Sequence, residues 1–178
     1  MALIDMELDE EMYHETAMLT KRHLNDDILK EPLKNVNPHP AICVNLGTSM
    51  QEVVDLMREQ KRGAVLVVEP GQTKPVGIFT ERDLLMRVAG RGWNFRDHTI
   101  EEVMSKGPSC LTLNDRLGFA LNKMVAQGYR HLPVLTEDGR VYGMVTVRSL
   151  LEYLTEHFPE DVMNQPPGSG DPSDRDGG

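Results

Sequence analysis

Residues 77–85 read GIFTERDLL and residues 143–151 read GMVTVRSLL. The second segment is a variant of the first, and the duplication extends well beyond it. Met50, Val53, Val54 and Met57 recur at a helical spacing. Leu117, Ala120, Leu121 and Met124 repeat that spacing 67 positions later. Apolar residues at i, i+3, i+4 and i+7 predict an amphipathic helix with one buried face. The short β-branched runs GAVLVVE (63–69) and RHLPVLT (130–136) follow and predict strands. After a turn in each half come VGIFT and YGMVT, again strands, and then a second helix. That helix aligns Leu84, Leu85 and Val88 with Leu150, Leu151 and Leu154 at an offset of 66, because the first turn is longer by one residue.

Each half also opens with a short apolar segment, AICVNL (41–46) and PSCLTL (108–113). One unit is therefore strand, helix, strand, strand, helix. About 50 residues bury too little surface to stand alone. Two copies can bury their sheets against each other across a pseudo-twofold axis. The expected fold class is α+β, with two such repeats packed sheet to sheet and two related clefts between them.

The paired G-h-h-T-x-x-D/S-L-L segments, the order of elements and YRHLPV (129–134) together resemble a tandem pair of CBS (cystathionine-β-synthase) domains, the Bateman module. The resemblance covers residues 28–158 and includes the lead-in ILKEPLKNVNP (28–38). It divides the chain into an acidic N-terminal extension (1–27), a first repeat with lead-in and connector (28–100), a second repeat (101–158) and a disordered tail (159–178). It implies a regulatory, ligand-sensing protein that binds an adenosyl nucleotide (AMP, ADP, ATP or S-adenosylmethionine) and signals to a protein partner. The alternative is a ligand-independent dimer scaffold. It also implies a homodimer joined through helix faces, for which Met86, Met124 and Leu154 are apolar candidates.

Thr80 and Asp83 have the spacing of a capping box, which closes orphan backbone N–H groups at a helix start. Thr146 and Ser149 occupy the same places in the second copy, so a carboxylate is not obligatory there. The resemblance gives Asp83 a second role as holder of a ribose diol. A carboxylate can accept from two adjacent hydroxyls, and serine cannot reproduce that pairing. Arg130 and His131 begin a strand; in related modules, basic groups at this place reach phosphates, and a forked guanidinium suits that task. Gly63 and Ala64 replace them in the first copy, with Arg62 alongside. Ile42, Val44, Val65 and Ile78 read first as core, and are also compatible with the apolar walls of a purine site.

Composition removes other classes. The 178-residue chain has a formal charge of −9, which opposes binding to phosphate backbones, so nucleic acid is not an expected partner. Cys43 and Cys110 lie one repeat apart, with no CxxC; they read as small buried residues rather than a disulfide or zinc site. The six histidines show no metal-binding spacing, and GRGW (90–93) lacks the third glycine of a dinucleotide loop. No nucleophile–base set is visible, so no catalysis, metal or cofactor is expected. RGWNFRDHTIEEVM (91–104) reads as a connector pinned by Trp93 and Phe95. The acidic start and the absence of a membrane-length apolar run fit a soluble, cytoplasmic protein.

Overall fold

The structure, a computed structural model, describes residues 27–157. The expected tail (159–178), and all of the acidic extension except Asp27, lie outside the described residues.

The first repeat holds β1 (Ile42–Asn45), α1 (Met50–Glu59), β2 (Ala64–Val68), β3 (Pro75–Thr80) and a short α2 (Glu81–Asp83). Instead of the expected continuous helix, α2 passes into a π turn, Leu84–Val88, closed by Ala89 N–H donating to the Leu84 carbonyl at 2.9 Å. After the connector come β4 (Ser105–Lys106), β5 (Leu111–Thr112), α3 (Leu117–Gln127), β6 (His131–Leu135), β7 (Val141–Thr146) and α4 (Val147–His157). The strands form two sheets, ordered β1-β2-β3-β4 and β5-β6-β7. β1 and β2 run parallel, as do β5 and β6, and the hairpins β2–β3 and β6–β7 are antiparallel. Even the hairpin irregularity is duplicated: the register shifts between Val67 and Val68, and again between Val134 and Leu135.

Each repeat has its own core. Met50, Val53, Val65, Val67 and Phe79 centre the first, and Leu117, Ala120, Leu132, Val134 and Leu150 the second. A third cluster of Ala64, Leu66 and Met144, flanked by Ala41, Ile78 and Val141, joins the two sheets. That is the sheet-to-sheet contact expected from the repeat. It is made by the alternate strand residues that face away from the helices.

The lead-ins are exchanged. The 3-10 turn Leu33–Val36 buries Leu33 and Val36 in the second repeat's core, although it precedes the first repeat in sequence. Ile100 and Val103 of the connector, which precede the second repeat, are buried in the first. The backbone bonds of the two crossings are the same bonds 67 residues apart. Leu33 N–H donates to the Asp115 carbonyl at 2.9 Å, and Ile100 N–H to Thr48 at 3.0 Å. Leu117 N–H donates to the Glu31 carbonyl at 2.8 Å, and Met50 N–H to His98 at 2.9 Å. Leu117 and Met50 are the first residues of α3 and α1, so each lead-in supplies a carbonyl to an orphan donor at the other repeat's helix start. Trp93 and Phe95 pack against the first core, and Trp93 stacks on His98 at 3.9 Å between ring centroids.

The cysteines depart from expectation. Cys43 is exposed, on the outward phase of β1, and Cys110, just before β5, is half-buried. Desolvation nonetheless raises both thiol pKa values, which disfavours the reactive thiolate.

The crossing explains the glycine of each motif. A Cβ on Gly143 would lie 2.6 Å from the His39 carbonyl oxygen, on the strand-like segment that pairs with Met144. The nearest atoms to a Cβ on Gly77 belong to the Met104 side chain, with the sulfur 2.2 Å away, and an unbranched thioether can change rotamer where a backbone carbonyl cannot. Gly143→Ala should therefore cost about 1–3 kcal/mol of stability as overpacking against backbone, and Gly77→Ala less. Urea denaturation of the two variants checks this. A smaller loss for Gly143→Ala would show that the crossing segment can move aside.

Candidate functional site

Two clefts flank the joint between the sheets. The first has a cavity volume of about 650 Å³, within the usual ~300–1,000 Å³ of small-molecule sites. Its walls are the start of α2 with the π turn, the connector residues 105–109, and the segment from Gln127 to Pro133 that leads into β6. Both repeats therefore contribute. Thr80, Asp83, Arg130, His131 and Ile78 all line this cleft, so five of the eight residues singled out in the sequence are brought together.

Local hydrogen bonding fixes the carboxylate. Thr80 Oγ1 accepts from Asp83 N–H at 3.2 Å, while Asp83 Oδ2 accepts from Thr80 N–H at 3.0 Å and from Thr80 Oγ1 at 2.7 Å. The capping box is complete. Oδ2 is thereby committed to the cap, and Oδ1 faces Arg87 Nε at 3.3 Å and Ser105 Oγ at 3.5 Å. Both contacts are long, so Oδ1 keeps accepting capacity toward the cleft. The helix start is held beside β2 by Glu81 N–H donating to the Gly63 carbonyl at 3.1 Å, and the second copy repeats this with Val147 and Arg130 at 3.2 Å.

The chain is acidic, yet the cleft is not. Arg82, Arg87, Lys106 and Arg130 line it against the two carboxylates Glu81 and Asp83. Burial lowers the His131 pKa; Glu81 opposes that shift and Arg130 adds to it. The imidazole is thus held toward its neutral form.

The second cleft is the pseudo-twofold counterpart, with a volume of about 490 Å³. Ile42 and Arg62 line it, together with Lys61, Thr146 and Arg148. Position 149 is serine, buried at 3% exposure, and its hydroxyl is spent locally. It accepts from Thr146 N–H at 2.9 Å and donates to the Thr146 carbonyl at 2.9 Å. Gly63, Glu81 and His131 line both clefts and form the wall between them. Val44 and Val65 line neither: they are buried in the first repeat's core, on the strand faces turned toward α1, and are not placed to wall a purine. Sequence reasoning missed Arg87, Ser105 and Lys106. For Ser105 and Lys106 the signal was the repeat offset, which sets 105–109 against 38–42, the approach to β1. Among the described residues no group of three metal-binding side chains occurs, and no helix is long and apolar enough to cross a membrane.

A family model for the CBS domain matches residues 33–90 and 100–156. The meiotically up-regulated gene 70 protein of Schizosaccharomyces pombe is 32% identical over 121 residues, covering 63% of this chain and 16% of that protein. Of three curated relatives matched by sequence, the chain spans 16%, 66% and 58% of the length. Among solved structures, a CBS domain protein from Pyrobaculum aerophilum complexed with AMP superposes with a TM-score of 0.62 at 21% identity, over 70% of this chain and 99% of that one. The CBS domain pair of protein MJ0100, in complex with 5-methylthioadenosine and S-adenosyl-L-methionine, gives 0.62 at 21% identity, over 71% and 98%. At those identities the likeness is one of fold.

The His131 shift has a consequence for stability. The unfolded chain takes up its imidazole proton near the ordinary value of 6.5, and the folded chain only at lower pH. Between those values the unfolded state binds more protons, so this contribution to stability is complete above pH 6.5 and declines as pH falls through the window. His131→Gln should flatten the decline between pH 7 and pH 5. Thermal melts of both proteins across that range check it; parallel curves would show that His131 titrates freely.

Proposed function

The chain belongs to the CBS-domain family as a tandem pair, and from that premise we propose that it is a regulatory, ligand-sensing protein. It binds an adenosyl nucleotide in the Thr80–Asp83 cleft and signals occupancy to a protein partner. It acts as a sensor rather than a catalyst and uses no cofactor beyond this regulatory ligand. The observation that supports this reading is the convergence of complementary groups from both repeats on one cavity. A carboxylate oxygen that can accept from a ribose hydroxyl lies on the first repeat, and Arg130 with His131 on the second. Three ligands are named for the two structural neighbours: AMP, with a phosphate; 5-methylthioadenosine, uncharged; and S-adenosyl-L-methionine, with a sulfonium. A phosphate suits the cations that line this cleft; a sulfonium does not, so AMP-type ligands are favoured.

One observation favours the scaffold reading instead. Asp83 already has partners for both oxygens, so its conformation is satisfied without ligand. The two readings separate on Asp83→Ala. If the carboxylate holds a diol, AMP affinity should fall about ten- to hundredfold, corresponding to ~1.5–3 kcal/mol for a charge-assisted bond. Ser149→Ala should leave it nearly unchanged. Loss of the cap costs about 1 kcal/mol of stability in addition, so melting is compared without ligand. Calorimetry on both variants decides; a wild-type chain that binds no member of an adenosyl panel is a scaffold.

We further propose a twofold homodimer. Leu85 and Met86 are 68% and 75% exposed on the π turn, and Phe119 and Leu151 are exposed on α3 and α4. Met124 and Leu154, expected at such a surface, instead pack in the second core. Exposed apolar side chains on several helices suit association with a second copy, although Leu85 and Met86 also line the first cleft. Light scattering should give about twice the 20.0 kDa chain mass. A monomer at micromolar concentration would reject the dimer.

A further inference from the structure

Arg87 makes three contacts that the cleft's other cations do not. Nε lies 3.3 Å from Asp83 Oδ1, Nη1 donates to the Val103 carbonyl at 2.7 Å, and Nη2 donates to Ser105 Oγ at 3.0 Å. One guanidinium thus ties the motif carboxylate to the connector that forms the opposite wall. The side chain leaves the π turn, and π turns recur at functional sites.

The second copy shows that this set stands or falls together. At the repeat offsets, Asp83, Arg87 and Ser105 correspond to Ser149, Tyr153 and Pro38. All three polar members are replaced. Tyr153 is buried in the second core and stacks near His157, so the position alone does not demand a cation. Capping does not demand one either, since Ser149 makes its cap without a charge.

We propose that Arg87 is a positioning residue for the ribose-binding carboxylate, fixing the plane of Asp83 and locking the connector wall against it. This rests on the adenosyl-nucleotide reading above. Thr80 anchors Oδ2 with two hydrogen bonds, and Arg87 lies against Oδ1, so the carboxylate is held at both oxygens and the one left to a diol has a fixed place. Arg87 also sets an opposite charge beside a carboxylate whose side chain is only 12% exposed. Arg87 itself needs no contact with the ligand.

The test reads diol recognition separately from general integrity. The probes are AMP and its 2′,3′-dideoxy analogue, measured by calorimetry at one salt concentration. The wild-type chain should prefer AMP by about tenfold or more. Arg87→Met should bring that preference to within about threefold, while binding of the dideoxy analogue changes little. Asp83→Ala and Asp83→Ala/Arg87→Met should bind AMP equally, because the guanidinium acts through the carboxylate. Arg87→Lys keeps a cation but cannot reach three acceptors, and should also lose preference; it serves if the methionine variant does not fold. Equal weakening of both nucleotides, additive loss in the double variant, or a wild-type preference in Arg87→Lys would each overturn the proposal. If AMP does not bind the wild-type chain, the ligand reading falls and this inference with it. If AMP binds with a preference that Arg87 variants leave intact, only this inference falls.

Discussion

The crossing of the two lead-ins is the constraint on which the rest depends. Neither repeat completes its own core: Leu33 and Val36 finish the second, and Ile100 and Val103 finish the first. Neither α1 nor α3 satisfies its first backbone donor from its own repeat alone. A chain with one copy would leave buried apolar surface open and helix-start donors unpaired, which is costly on both counts. Duplication with exchange resolves both at once. It also forces the segment before each first strand to run along the other repeat's sheet. That path brings Ser105 and Lys106 onto β3, and His39 onto Met144. The clefts are a consequence: each is walled by one repeat's motif and the lead-in of the neighbouring element.

Backbone bonds repeat at a fixed offset, so the two clefts share much of a framework, although the first motif runs into a π turn and the second into a continuous helix. The first cleft has a paired carboxylate and Arg130; the second has the cations Lys61, Arg62 and Arg148, and Ser149 does not line it. His131 and Glu81 serve both. Their mutual field already acts on the imidazole, with Glu81 opposing the shift caused by burial.

Much of this was legible in the sequence, for reasons that are local. Helical periodicity over 50–57 and 117–124, and β-branched runs at 64–68 and 131–135, report burial by neighbouring residues. The capping box at Thr80 is a contact across three residues and was equally readable. What could not be read depends on contacts distant in sequence. Nothing in the lead-in's composition says which repeat it docks on. Val44 and Val65 alternate correctly as strand residues, but which face of β1 and β2 meets the helix and which meets the other sheet is a tertiary choice. The π turn was hidden because Leu84, Leu85 and Val88 fit an ordinary helix as well. Nothing local marks Arg87, because its partners Val103 and Ser105 lie 16 and 18 residues away.

The two motif copies also separate what the fold needs from what it does not. Thr146 and Ser149 reproduce the reciprocal backbone bonds that Thr80 and Asp83 make, at nearly the same lengths. A neutral side chain therefore suffices for the cap. The carboxylate of Asp83 is partly buried, and withdrawing a charge from water costs more than withdrawing a hydroxyl. Pairing it with Arg87 offsets that cost, but a pair whose guanidinium is 43% exposed adds little net stability. The second copy holds neutral groups, Ser149 and Tyr153, in an intact helix. The first copy's carboxylate is therefore not needed for the cap, and it faces the cleft.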